Sequence, residues 1–115
     1  NLKSVVIYDD VIGIGDQAFY GCTNLTNVVI PNSVTSIGKF AFARCDSLTS
    51  MVIPDSVTSI RSNAFYGCSS LISVTMPSRF RTQFGDKING CLITYIWTVN
   101  FVVDYIEPLF IAHYY

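Results

Sequence analysis

Apolar and polar residues alternate in short bursts along this chain, and the bursts return on a fixed beat. In "LTNVVIP", residues 25–31, Val28 and Ile30 fall on one side of an extended backbone and Asn27 and Val29 on the other. That is the period-two pattern of a short strand. Pro31 has no N–H to give a ladder and ends it. From Val34 to Cys45 the apolar spacing is three, four, one and three, which predicts a wound return of short helical turns rather than a second long strand. One unit therefore holds one strand and one coiled return.

The unit recurs every 23 residues. Leu2, Leu25, Leu48 and Leu71 open the copies; Val5, Val28, Met51 and Val74 follow, then Ile7, Ile30, Ile53 and Met76. Val11, Val34, Val57 and Phe80 share another column, and Phe19, Phe42 and Phe65 a further one. Residues 25–47 and 48–70 agree at 14 of 23 positions without a gap. A period of about 20 to 30 residues marks a solenoid, because one such rung cannot enclose its own apolar face and must share a core with its neighbours. Five rungs at strand spacing make a stack of about 20 to 25 Å. The repeated apolar columns are its interior.

Cys22, Cys45, Cys68 and Cys91 keep the same beat. Four cysteines are compatible with two disulfides in a secreted chain. Stacked equivalent positions, however, point their Cβ atoms in parallel, and each one also suits a small buried hydrophobe. The reading adopted is buried free thiols. A linear ladder does not converge on a point as metal ligands must, so no metal or other cofactor is expected.

The outward strand positions form two predicted ladders. One is Ser4, Asn27, Ser50 and Ser73; the other is Val6, Val29, Val52 and Thr75. Solenoids bind partners on such faces, which makes these eight the candidate protein-binding residues, although β-branched side chains also suit any sheet. Tyr20 and Tyr66, with Phe40 between them, are either contact aromatics or covers for the phenylalanine column. Asp9, Asp10 and Asp16 lack the alternating spacing of a calcium loop and read as a solvated acidic end.

Composition removes several function classes. Of 115 residues, 50% are hydrophobic, 14% aromatic and only 13% charged, with a net charge of -1. There is no basic field to hold nucleic acid; Arg79, Arg81 and Lys87 are the one basic cluster. No apolar run approaches the roughly 18 residues of a membrane-spanning helix. His113, the lone histidine, has no assignable nucleophile or carboxylate partner. No phosphate loop, nucleophile elbow or metal motif is present, so catalysis is not expected. Asn24, Leu25 and Thr26 fit the glycosylation triplet, a pattern too common to carry weight. The chain begins inside its own pattern, which reads as a fragment or a processed product.

The phrases "LTNVVIPNSVTSIGKFAFARC" and "LTSMVIPDSVTSIRSNAFYGC" resemble the BspA-like, or treponemal-type, leucine-rich repeats, over residues 2 to about 78. The resemblance implies a leucine-rich-repeat-like right-handed coil, curved, with a short-stranded parallel β-sheet on its concave face and short helical turns on the other. It also implies a surface or secreted protein whose commonest role is adhesion or protein binding, with extracellular matrix or another cell surface as partner. No catalytic residue carries over.

Departures divide the chain into residues 1–78 of regular repeats, a degenerate last repeat at 79–93, and a C-terminal segment at 94–115. Arg61 stands where Gly15 and Gly38 stand, so that position does not require positive φ. Gln83 and Lys87 replace an expected Ile and Ala, as capping repeats often do. Trp97 and Val99 fall in strand phase by count, and alternation from Tyr95 to Tyr105 predicts a longer strand. Trp97, Phe101, Tyr105 and Phe110 form either a cap over the last rung or an assembly surface. Two functions follow as expectations: a noncatalytic protein-binding module, or a self-assembling subunit whose open ends stack into filaments.

Overall fold

A computed structural model describes residues 2–97. The predicted strands lie where the alternation places them: β1 (Ser4–Val6), β3 (Asn27–Val29), β5 (Ser50–Val52) and β7 (Ser73–Pro77). β1 pairs with β3, and β5 with β7, in parallel and one full period apart: Ser4 with Asn27, Val6 with Val29, Ser50 with Ser73, Val52 with Thr75. Val28, Met51 and Val74 point inward and are buried, whereas Val6, Val29 and Val52 are exposed.

A second parallel sheet stands on the return side. It joins β2 (Gly13–Ile14), β4 (Ser36–Ile37) and β6 (Ser59–Ile60) in that order. The sequence reading merged this element with the wound return. Two residues contain a single inward side chain, Ile14, Ile37 or Ile60, and one apolar residue cannot display a period. The architecture is therefore a parallel β-solenoid of about four turns with about 23 residues per turn.

Beyond these strands the returns are turns stitched to one another. The amides of Gln17, Phe19 and Gly21 donate to the carbonyls of Lys39, Ala41 and Ala43 in the next rung, while Ala18, Tyr20 and Cys22 donate back to Gly15, Gln17 and Phe19 in their own. Phe40, Phe42 and Arg44 repeat the outward set toward Ser62, Ala64 and Tyr66. Alternate amides thus serve the turn and the stack, so few buried donors are left over. Inside, Phe19, Phe42 and Phe65 stack nearly parallel with centroids 5.3 and 5.9 Å apart, a large apolar column whose offset faces also attract one another.

The last rung changes construction. Ser78–Phe80 forms a 3-10 turn, followed by α1 (Arg81–Phe84) and a hairpin of β8 (Lys87–Ile88) with β9 (Cys91–Ile96). Asn89 and Gly90 link the hairpin with φ of 50° and 81°, as a two-residue turn of type I′ requires. β9 then runs parallel to β7 with Val74 beside Ile93 and Met76 beside Tyr95. The offset is 93 minus 74, or 19 residues, rather than 23. This corrects the count that put Trp97 in phase with Val74: the hairpin shortens the path, and Trp97 lies past the end of β9 with 78% of its surface exposed. Val99, Phe101, Tyr105 and Phe110, with the rest of the expected long strand, lie outside the described residues.

The same rung satisfies the carbonyls of its predecessor with side chains. Arg79 donates to the Val57 and Asp55 carbonyls at 2.9 and 3.0 Å, Gln83 to Ile60 at 2.7 Å and Asn89 to Phe65 at 2.8 Å. In the regular rungs a backbone amide takes the place of Gln83: Gly38 donates to Ile14 and Arg61 to Ile37. Where the backbone leaves the repeat path, longer polar side chains reach back across the gap.

Candidate binding face

All eight candidate ladder residues lie on the first strands of the rungs, β1, β3, β5 and β7. Ser4, Val6, Asn27, Val29, Val52 and Ser73 are exposed, and Ser50 and Thr75 are half-buried. The placement follows from pleating, which sends alternate residues outward. The ladders are not continuous, however. β3 and β5 are not ladder partners: the face consists of the pair β1–β3 and a separate sheet ordered β5, β7, β9, β8.

Between β3 and β5 a cleft of about 190 Å³ opens, lined by Asn27, Val28, Val29, Ile30, Ser50 and Val52. Four of these six are candidate residues. A second cleft of about 160 Å³ lies beside it, between Val52, Ile53, Pro54, Asp55, Pro77 and Ile96. Val52 forms the ridge between the two. The lining is apolar with amide and hydroxyl groups at the rim, and its one charged residue, Asp55, is already paired with Arg79 at 3.0 Å. Such a surface takes apolar side chains and hydrogen-bonding backbone rather than an ionic ligand. The period predicted the ladders but not the clefts, because nothing in the equivalent strands marks the place where pairing lapses.

Other singled-out residues have structural employment. Arg79 spans Val57 and Asp55, and Arg81 lies over the Tyr95 ring, 5.1 Å from its centroid. Lys87 belongs to β8. The Asp16 carboxylate accepts the Lys39 backbone amide at 2.8 Å, and among the described residues no group of three His, Cys, Asp or Glu could hold a metal ion. His113 lies outside the described residues.

The four cysteines are free thiols. Cys45 and Cys68, both fully buried, donate to the carbonyls of Phe19 and Phe42 at 3.3 and 3.0 Å. A hydrogen bond with Cys68, then burial, pushes the Cys45 thiol far above the ordinary range. The same bond acts in the opposite sense on Cys68, whose thiolate would accept it. Cys22, at the margin of the core, is raised by burial and then by Cys45. Cys91 keeps the count but bonds its own neighbour, Leu92, while Asn89 takes the Phe65 carbonyl.

Fold and face together define a leucine-rich repeat solenoid with an exposed, uncharged sheet surface. The chain belongs to the BspA-type leucine-rich repeat family, whose description matches residues 1–109 in six copies. It is similar to the leucine-rich repeat protein of T. pallidum, with 28% identity over 79% of this chain and 44% of that one, TM-score 0.68. It is also similar to a leucine-rich cell surface protein of Faecalibacterium prausnitzii A2-165, with 28% identity over 86% of this chain and 27% of that one, TM-score 0.69. A leucine-rich repeat protein of Bacteroides ovatus ATCC 8483 aligns at 29% identity over 83% and 30%, TM-score 0.59. The chain spans less than half the length of these solved relatives. No curated protein sequence matches it.

Proposed function

We infer that this chain is a noncatalytic protein-binding module of a cell-surface or secreted protein, and that it grips its partner on the face formed by β1, β3, β5 and β7. The observation that carries the reading is the cleft between β3 and β5, which concentrates Asn27, Val29, Ser50 and Val52 around one apolar opening. The family and the cell-surface relative from Faecalibacterium support it. Extracellular-matrix proteins are the partner class to offer first. Wild type should bind one of them on a sensor surface, and the double variant Val29→Asp, Val52→Asp should lose that binding with its circular dichroism unchanged. Equal binding by both proteins would remove this face from consideration.

A second reading, end-to-end self-assembly, has its own observation. In a chain of these 115 residues a hollow of about 280 Å³ lies beside β1, lined by Val5, Ile7, Val11, Ile14 and Phe19, among others. Unpaired strand edges and exposed core attract another chain, and a head-to-tail contact that does not close yields filaments. Mass measured by light scattering over a hundredfold range of concentration separates the two readings: a constant 12.8 kDa leaves the binding module, and a rising mass supports assembly.

A further inference from the structure

Rung 25–47 carries two residues in conformations that its neighbours assign to other side chains. Arg44 has φ of 60° in a column otherwise filled by Gly21, Gly67 and Gly90, at 73°, 75° and 81°. Phe40 has φ of 55° where the flanking rungs have Gln17 and Asn63, at 60° and 59°. Left-handed backbone is natural for glycine and tolerable for asparagine, but it costs a bulky or long side chain. Strain at functional surfaces is kept when the surroundings enforce it, and here the stitched returns do.

Both residues lie on the wound return rather than on the strands of the candidate face, Phe40 half-buried and Arg44 exposed. The Phe40 ring fills the gap between Tyr20 and Tyr66, edge-on to each with centroids 6.3 and 6.5 Å away. In the column of those tyrosines the middle rung has only Ala43, which is fully buried. Tyr20 and Tyr66 remain 53% and 56% exposed. Arg44 runs across Gly67, where an added Cβ would come within 2.6 Å of its Cδ. Its guanidinium is exposed and has no hydrogen bond or ion pair among the described residues. The Lys39 ammonium beside Phe40 likewise has no ion pair among them. The Asp16 carboxylate is occupied by the Lys39 backbone amide.

We propose that Tyr20, Phe40, Arg44 and Tyr66 form a second docking site on the return side, whose occupant is an acidic peptide segment of a protein partner. Arg44 pairs with a carboxylate of that segment, in the two-pronged geometry that guanidinium favours. The three rings receive an apolar side chain next to it. Tyrosine and arginine together are the side chains that dominate protein interfaces. The uncommitted cations specify the sign of the partner. This site is separate from the face proposed above and stands or falls independently of it.

The test uses the whole chain and a fluorescein-labelled peptide that sets one phenylalanine among glutamates, read by fluorescence anisotropy. Wild type should bind saturably and more weakly at high salt, and Arg44→Gln and Tyr66→Ala should each weaken binding about tenfold or more. Val29→Asp should leave it unchanged. Arg44→Gly and Phe40→Asn install the residues of the neighbouring rungs, so both should melt no lower than wild type while losing the peptide. The proposal is overturned if wild type ignores the peptide, if Arg44→Gln binds it normally, or if a peptide with glutamine in place of glutamate binds as well. A lower melting point for Arg44→Gly would overturn it too, by making the arginine part of the scaffold. Preferential binding of a hexuronate oligosaccharide would replace the peptide with a glycan.

Discussion

Asn89 donates its side-chain amide to the carbonyl oxygen of Phe65 at 2.8 Å, the place in the repeat where Cys45 and Cys68 set thiols against Phe19 and Phe42. An amide is the stronger donor. Asn89 also holds a left-handed turn, so Asn89→Gly preserves the backbone and removes the bond alone. It should lower stability by about 1 to 2 kcal/mol in urea unfolding. An unchanged midpoint would mean that water replaces the amide without cost.

Phe42 is fully buried between Phe19 and Phe65. Phe42→Ala should cost about 3 to 5 kcal/mol, a large part of the roughly 5 to 15 kcal/mol that hold a typical domain. A melt followed by circular dichroism checks this. Val52→Asp, at an exposed outward position, should stay within about 0.5 kcal/mol of wild type in the same assay.

Gly38 and Gly15 occupy one column but differ in their surroundings. A Cβ on Gly38 would come within 2.6 Å of the Asp16 amide nitrogen and 2.7 Å of the Gly15 carbonyl carbon, whereas Gly15 has nothing within 4 Å. Gly38→Ala should destabilise by about 1 to 3 kcal/mol through overpacking, and Gly15→Ala should not. Thermal melts of the two variants, compared side by side, decide it.

Thiol labelling of the folded protein should be selective. Cys22 is partly exposed, and Cys45 and Cys68 are buried. With an aromatic disulfide reagent near pH 8, Cys22 should react first and the buried pair only as the chain opens. Burial raises the Cys22 pKa, which leaves less thiolate there than on a free peptide. Its rate should therefore keep climbing with pH after that of the peptide has levelled off. Equal rates at all cysteines in the native state would contradict the buried column.

How much of this was legible beforehand depends on what sets each feature. The inward column Val28, Met51 and Val74 and the outward column Val29, Val52 and Thr75 were readable because pleating and period dictate them. So was Arg61, which correctly marked its column as free of positive φ. The strand β2 was hidden, since Gly13 and Ile14 are too few to show alternation. The slip at Trp97 had a local signal: Asn89-Gly90 is a strong mark of a two-residue hairpin. Counting in steps of 23 carried the phase through a turn that consumes residues, and the cysteine beat at Cys91 disguised the change. Phe40 was legible as an aromatic between Tyr20 and Tyr66, but its left-handed backbone and that of Arg44 were not, because side-chain identity alone does not disclose the sign of φ.

The lapse between β3 and β5 sits in front of a junction that is fully stitched behind. Ser36 and Ile37 pair with Ser59 and Ile60, and three further amides cross from Phe40, Phe42 and Arg44. In mechanical terms this is a flexure: one flank resists extension, and the other gives at a single joint. Bending of the solenoid is expected to concentrate there and to change the width of the opening without breaking a ladder bond, which faster amide exchange around β3 and β5 than around β4 and β6 would show. If the proposed partner enters this cleft, curvature and grip are one variable, set by how far the joint spreads around it.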